Sequence, residues 1–175
     1  MNVLRIAAAL ILLGAAVCAQ ADVVDLRGPS PWGPRPSWKL APRLPPSAAN
    51  RNRVSSGFGW RRHPILGGIR RHLGVDLPKP YGTPVYPARK GVVSFAGWKS
   101  GYGWMIELKH GDGTRTIYGH LSRYFYVKGQ SVRAGTPVGL VGSSGLSTGP
   151  HLHFEYHDAS GRAVDPPRGF LDAVL

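Results

Sequence analysis

Hydrophobic and polar residues alternate along short segments in the second half of the chain. In residues 151–157, the polar residues His151, His153 and Glu155 alternate with apolar ones. Because successive side chains of a strand point to opposite faces, this pattern predicts a strand. The two imidazoles and the carboxylate are expected on an exposed face, and the apolar side chains in the core. Further β-type runs are predicted at 91–97, 103–110, 114–120 and 131–142.

These runs predict an all-β fold. They are separated by turns rich in glycine and proline, and the sequence shows no helical periodicity of useful length. Runs at this spacing predict an antiparallel β-sandwich or open barrel. Asp112-Gly113 favours a hairpin turn with positive φ at both residues. The last residues, 164–175, are expected to add one short helical turn at most.

The composition changes along the chain and predicts three regions. Residues 1–21 combine the positive Arg5, an apolar run and an A-x-A sequence ending at Ala21, as in a cleaved secretory signal peptide. Residues 22–50 contain seven prolines and are expected to form an extended linker. Residues 51–175 are expected to form the folded domain.

The predicted signal peptide contains Cys18, the only cysteine. The mature protein is therefore expected to contain no disulfide and no cysteine-rich structural zinc site. The apolar run is too short to span a bilayer comfortably, so no stable membrane span is expected after cleavage. A retained anchor and lipid attachment at Cys18 are the alternatives. We expect an exported protein that is periplasmic, associated with the cell envelope, or secreted.

The net charge of +13 favours a polyanionic partner. For an exported protein, such partners are envelope polymers or membrane surfaces. No nucleic acid is expected, because the arginines are scattered and no recognition helix is readable. The proline-rich segment 22–50 is a candidate to recruit an envelope protein, or to fold across the active groove and inhibit it.

Three histidine patterns carry the chemistry: His72-x-x-x-Asp76, His151-x-His153, and His120 at the end of a predicted strand. Each pattern is weak alone, since isolated histidines are more often structural or incidental. Together they supply three metal ligands with one coordination position open, and two spare imidazoles that can transfer protons. This composition is typical of a catalytic zinc site and indicates a metal-assisted hydrolase.

The segment from about Ser55 to about Pro166 resembles the LytM/lysostaphin-type zinc endopeptidases, which form the M23 peptidase family. The likeness rests on "SGFGWRRHPILGG", "RHLGVD", "YGHLS" and "GPHLHFE", in that order. It implies an antiparallel β core with a long groove and one zinc ion per chain. It also implies zinc-dependent hydrolysis of peptide bonds in bacterial peptidoglycan, by a metal-activated water with a histidine as general base.

The resemblance implies a role for each matched residue. His72, Asp76 and His153 match the zinc ligands of the family. His151 matches the general base, and His120 matches a second catalytic histidine that helps to position the water and to stabilise the oxyanion.

Other matched residues receive minor roles or none. His110 is expected to be structural, and Arg61 belongs to a motif expected to be structural or to line the groove. His63 and His157 receive no role.

Two alternatives remain beside the enzyme. One is a catalytically silent LytM-like module that binds the cell wall or activates an amidase. The complete set of ligands and catalytic histidines favours the enzyme over it. The other is a basic wall- or nucleic-acid-binding protein with incidental histidines, whose binding would not depend on zinc. The sequence leaves open whether the cleaved bond lies in a stem-peptide cross-link or in a glycine bridge.

Overall fold

The computed structural model describes residues 53–175. The predicted signal peptide, residues 1–21, and the predicted linker, residues 22–50, lie outside the described residues. In the described range, no helix is both long enough and apolar enough to cross a membrane.

Eleven strands and one helix form within residues 53–175. In chain order they are β1 (Gly59–Arg62), β2 (Ile69–His72), β3 (Val75–Pro78), β4 (Pro84–Val85), β5 (Gly91–Lys99), β6 (Gly103–Lys109), β7 (Arg115–Tyr124), β8 (Ser131–Val132), β9 (Gly139–Val141), β10 (His151–His157), β11 (Ala163–Val164) and α1 (Arg168–Ala173). All pairs of these strands are antiparallel. The prediction of an antiparallel all-β fold is confirmed.

Nine of these strands form one sheet, and β1 and β2 form a separate hairpin. The main order is β11-β10-β7-β6-β5-β8, with β3 also beside β10 and with β9 paired to β7 and β4. The predicted run 131–142 is divided into β8 and β9. Gly135, with φ 78°, and Pro137 interrupt it, because proline cannot donate a ladder hydrogen bond.

Strand β10 lies inside the sheet, with β7 along one edge and β3 and β11 along the other. Leu152 and Phe154 are fully buried in the core, as predicted. The prediction that the opposite face is exposed is wrong, because His153 and Glu155 are 7% and 1% exposed. Aromatic rings from β2, β7 and the β5–β6 turn pack over this face.

The connection between β6 and β7 also differs from the expectation. Gly113 has φ 83°, but Asp112 does not have a positive φ. Instead, the Asp112 carboxylate accepts hydrogen bonds from the backbone N–H and the hydroxyl of Thr114. This side-chain turn replaces the two-residue hairpin turn. At the C-terminus, α1 is six residues long, more than the single turn expected, and buries Leu171 in the core.

Candidate active site

Three potential ligand atoms converge at one end of a cavity. Asp76 Oδ1 lies 3.2 Å from His72 Nε2 and 2.9 Å from His153 Nδ1, and the two nitrogens are 3.1 Å apart. In a tetrahedral site, metal–ligand bonds of about 2.0–2.1 Å place the ligand atoms about 3.3 Å apart. The observed separations therefore suit a four-coordinate metal ion.

The strand register explains why these side chains meet. Asp76 on β3 lies directly opposite His153 on β10. His72 ends β2, and a short turn leads from it to β3. Within this turn, a Cβ atom on Gly74 would overlap the carbonyl oxygen of Phe154. Only glycine lets the chain pass this close to β10, so Gly74 helps to bring the three groups together.

The ring nitrogens that point away from the convergence point are also engaged. His72 Nδ1 donates to the carbonyl oxygen of Gly57 at 2.7 Å. His153 Nε2 donates to Glu155 Oε1 at 2.9 Å. Each bond places a proton on the outer nitrogen, which leaves the inner nitrogen as the one that a metal ion would use. His153 Nδ1 also lies 2.9 Å from Asp76 Oδ1, so a metal ion would bind there in place of the proton shared with that carboxylate.

Glu155 is a buried carboxylate whose position on the strand face is predicted by the sequence, although no function is predicted for it. Its Oε1 accepts from Tyr102 as well as from His153, and its Oε2 accepts from His157 Nε2 at 2.6 Å. His157 had received no role. The spacing of two between His153, Glu155 and His157 is the signal that could have revealed this network, because such residues share one face of a strand.

Burial alone would raise the pKa of Asp76 and of Glu155, but hydrogen bonds from histidines hold both values well below the usual range. Burial alone would lower the pKa of His153, but hydrogen bonds to the same two carboxylates raise it to about 9. Burial and the nearby Glu155 raise the pKa of Tyr102, so its hydroxyl remains a donor. Asp76 and Glu155 are both ionised although they are largely shielded from solvent. Their negative charge favours a cation bound between the three ligands. The residues therefore fit a metal ion.

His151 lies beside the three potential metal ligands but is not one of them. Its Nδ1 donates to the carbonyl oxygen of Gly149 at 2.8 Å. Its Nε2 carries the lone pair and lies 3.6 Å from Asp76 Oδ1. This nitrogen is placed to accept a proton close to the ligand atoms.

His120 occupies an unusual backbone position, with φ 56°. It is the only residue other than glycine with a positive φ among the described residues. The β6–β7 and β7–β9 ladders both shift register around it, and its N–H donates to the carbonyl oxygen of Tyr102. Such a conformation costs about 1–3 kcal/mol, and the surrounding ladders hold it in place. The irregularity directs the His120 ring into the cavity.

The His120 ring is fixed by its own hydrogen bond. Its Nδ1 donates to the carbonyl oxygen of Ser144 at 2.8 Å, and its ring centroid lies 4.7 Å from that of His151. Burial, together with the charge of His153, lowers the pKa of His120 to about 4. His120 is therefore neutral at neutral pH and presents an acceptor at Nε2.

All five predicted site residues line one open cavity of about 230 Å³. Hairpin β1–β2 and residues 146–148 form part of its walls. His63 also lines the cavity, and its Nδ1 accepts from the backbone of the β1–β2 turn. His110 lies outside it, buried between the carbonyl of Lys90 and the hydroxyl of Thr116, which agrees with a structural role.

A sequence model of peptidase family M23 matches residues 70–166, more than half of the chain. The chain belongs to peptidase family M23. The resemblance stated from the sequence motifs is thereby confirmed. Membership of this family, together with the His/Asp/His group, supports a metal cofactor.

Two relatives illustrate the similarity of this M23 domain. The DD-carboxypeptidase/endopeptidase Mpg of Neisseria meningitidis is 47% identical over 114 residues, which cover 65% of this chain and 26% of that protein. The peptidoglycan DD-endopeptidase ShyA of Vibrio cholerae is 42% identical over 104 residues, covering 59% and 24%. The chain thus spans about a quarter of the length of the curated relatives that it matches.

Two solved structures share the M23 fold. The catalytic domain of lysostaphin from Staphylococcus simulans has a TM-score of 0.61 and 40% identity, covering 70% of this chain and 93% of that one. A zinc-containing peptidase from Vibrio cholerae has a TM-score of 0.61 and 36% identity, covering 70% of this chain and 37% of that one.

Proposed function

We propose that this chain is a zinc-dependent endopeptidase that hydrolyses peptide cross-links of bacterial peptidoglycan. The observation that carries the proposal is the convergence of two imidazoles and a carboxylate in a cavity that contains two further imidazoles. Relatives named as peptidoglycan DD-endopeptidases, and a structural neighbour described as zinc-containing, support the substrate class and the metal.

We assign His72, Asp76 and His153 to the metal. A zinc ion held by this donor set supplies Lewis-acid chemistry, which polarises a carbonyl and lowers the pKa of a water molecule to about 7. The protein contributes the arrangement of the donors. Because their outer atoms are already hydrogen-bonded, the side chains need little reorientation when the ion binds, and His153 gives up the Nδ1 proton that it shares with Asp76.

His151 is assigned as the general base. Its Nδ1 proton is committed to the Gly149 carbonyl, so Nε2 is free to accept the proton of the attacking water. The same nitrogen can then return the proton to the leaving amine. This sequence needs no change of tautomer, because the Nδ1 hydrogen bond persists through both steps.

His120 is assigned as the second catalytic histidine. As a neutral ring that donates from Nδ1 to Ser144, it accepts at Nε2 and can orient the attacking water. It can donate to a developing oxyanion only after it has taken a proton. The orienting role therefore comes first in the reaction.

We further propose that the protein is exported by the signal peptide at residues 1–21 and acts in the periplasm, at the cell envelope or after secretion. The wall-degrading activities named for its relatives support a location outside the cytoplasm. Residues 22–50 are proposed to recruit an envelope protein or to inhibit the groove. Deletion of residues 22–50 tests both roles, since unchanged activity and unchanged wall association would contradict them.

The enzyme is tested by digesting purified cross-linked peptidoglycan and reading the products by mass spectrometry. Wild type, with and without a zinc chelator, is compared with His153→Ala. We expect new peptide ends that appear only with metal and are lost in the variant. Wall binding without cleavage, unaffected by the chelator, would instead indicate a non-enzymatic binding or activating module.

A further inference from the structure

Hairpin β1–β2 is a strongly basic wall of the cavity. Its two strands carry four arginines and no acidic residue. The register places Arg61 directly opposite Arg70, and Gly59 directly opposite His72. Because every second residue of a strand shares a face, Arg61 and Arg70 lie on the same face as His72. Both arginines line the cavity.

Within the described part of the chain, this arginine pair has one anionic partner for its two charges, the carboxylate of Asp76 beside Arg61. Arg70 makes no ion pair or side-chain hydrogen bond there. The Nε atom of Arg61 is buried without a partner, and its Nη2 makes a long contact of 3.4 Å with Asp76. Asp76 is already engaged by two histidines. Like charges directly opposite each other destabilise a pair of strands. An anion bound between the two arginines would reduce this electrostatic repulsion.

The neighbouring residues His63 and Arg71 show where the electrostatic potential of this wall is most positive. Desolvation and the charges of Arg61 and Arg70 lower the pKa of His63 on this wall. Arg71, in contrast, is occupied elsewhere: its guanidinium lies 5.4 Å from the ring centre of Phe58 and donates to the carbonyl of Ala163. The uncompensated positive charge therefore lies at Arg70 and, in part, at Arg61, whose partner Asp76 is shared with His72 and His153.

We propose that Arg61 and Arg70 form a receptor for a free carboxylate of the substrate, an inference that rests on the proposed function. Guanidinium groups bind carboxylates through paired, charge-assisted hydrogen bonds. Arg70 and His72 are two residues apart on β2, or about 6.6 Å. Since an extended peptide advances about 3.3–3.6 Å per residue, the carboxylate lies within about two residues of the scissile bond.

This position selects between the two substrate classes left open by the sequence. A stem-peptide cross-link made through a diamino dicarboxylic acid carries a free carboxylate beside the cleaved bond. A glycine bridge is neutral over the same distance. The receptor therefore favours anionic stem-peptide cross-links.

The test uses two synthetic cross-linked stem-peptide dimers that differ only in whether the carboxylates near the scissile bond are free or amidated. The full chain is assayed as wild type, Arg70→Gln and Arg62→Gln. Arg62 is the matched control, because it lies on the other face of the hairpin, opposite Ile69, and does not line the cavity.

We expect wild type to favour the free-carboxylate dimer by about 10- to 100-fold in kcat/KM, mainly through KM, as for a hydrogen bond to a charged group. Arg70→Gln should lose this preference and Arg62→Gln should keep it. Arg70→Glu should reverse it, which a misfolded variant could not do. Zinc content and thermal unfolding of each variant are measured in parallel.

Equal cleavage of both dimers by wild type would overturn the receptor and leave the proposed function standing. Loss of the preference in Arg62→Gln to the same extent as in Arg70→Gln would also overturn it, because general charge attraction would then be the cause. Cleavage of a glycine-bridged peptide but of neither dimer by zinc-loaded wild type would overturn the receptor and leave the proposed function standing. Cleavage of no cross-linked peptide of either class would refute the proposed function, and this inference with it.

Discussion

Each of the four clustered histidines donates from one ring nitrogen to a fixed oxygen, and these bonds separate their proposed roles. His72 and His153 direct their free nitrogens at the carboxylate of Asp76, within 3.2 Å. His151 directs its free nitrogen to a point 3.6 Å from the same oxygen. Two imidazoles therefore lie at ligand distance, and the third lies at a distance suited to proton transfer.

Substitutions at His153 and His151 should separate metal binding from catalysis. His153→Ala is expected to lose the metal and all activity, because one of three protein ligands is gone. His151→Ala is expected to retain the metal, while activity falls by about 10²–10⁴-fold, the usual contribution of a general base. Metal content by mass spectrometry and peptidoglycan cleavage are measured together. Loss of metal in His151→Ala would show that His151 is a ligand.

Glu155 is expected to set the metal affinity through His153. Glu155→Gln removes the negative charge from a group that accepts three hydrogen bonds and replaces one of its two acceptor oxygens with an NH2 donor. We expect the dissociation constant for zinc to rise by about 10- to 100-fold. Calorimetric titration of the metal-free protein measures this.

The matched control is Glu107→Gln, since Glu107 is half-buried on β6 and bonds to Ser94 instead of the cavity histidines. It should bind zinc like wild type. An unchanged affinity in Glu155→Gln would mean that the carboxylate has no part in positioning the ligand.

At the scale of elements, the site depends on how closely the β2–β3 turn approaches β10. Asp76 reaches His153 through the β3–β10 ladder, while His72 arrives from a separate hairpin. The bulge in β7 supplies His120 from the other side of β10. The β3–β10 ladder, the β1–β2 hairpin and the bulge in β7 thus each bring a site residue to strand β10.

Gly74→Ala tests the close approach of the turn. The added Cβ would overlap backbone atoms of Phe154, so β3 must move away from β10. We expect a loss of about 2–4 kcal/mol in the free energy of unfolding, typical of severe backbone or packing conflicts, and weaker metal binding. Denaturant unfolding measures the first quantity. Gly111→Ala, which has open space around its Cβ position, is the control and should be nearly neutral.

At the scale of the whole molecule, the proposed metal would link segments that are far apart in the chain. His72 and Asp76 lie about eighty residues before His153. A ligand that binds only the folded state stabilises it by mass action. Zinc at 100 times its dissociation constant should add about 2.7 kcal/mol and raise Tm by several degrees. Differential scanning calorimetry measures this, with His72→Ala as the variant expected to show no shift. An equal shift in that variant would place the stabilising metal elsewhere.

The sequence by itself determined the antiparallel all-β class, the main strands β5, β6, β7 and β10, and the motifs that carry the family likeness. These properties depend on the alternation of apolar and polar residues, on turn residues and on the short spacings within motifs. All of these can be read directly from the amino-acid sequence. The five predicted site residues line one cavity, and their order along the chain was enough to group them.

Only the tertiary structure decided which side chains those residues contact. The burial of Glu155, the positive φ of His120 and the alignment of Arg61 with Arg70 could not be predicted from the sequence. Each depends on the register between strands and on what packs over them. Register is set by the summed contacts of distant segments, and a shift of one residue would turn every side chain to the opposite face.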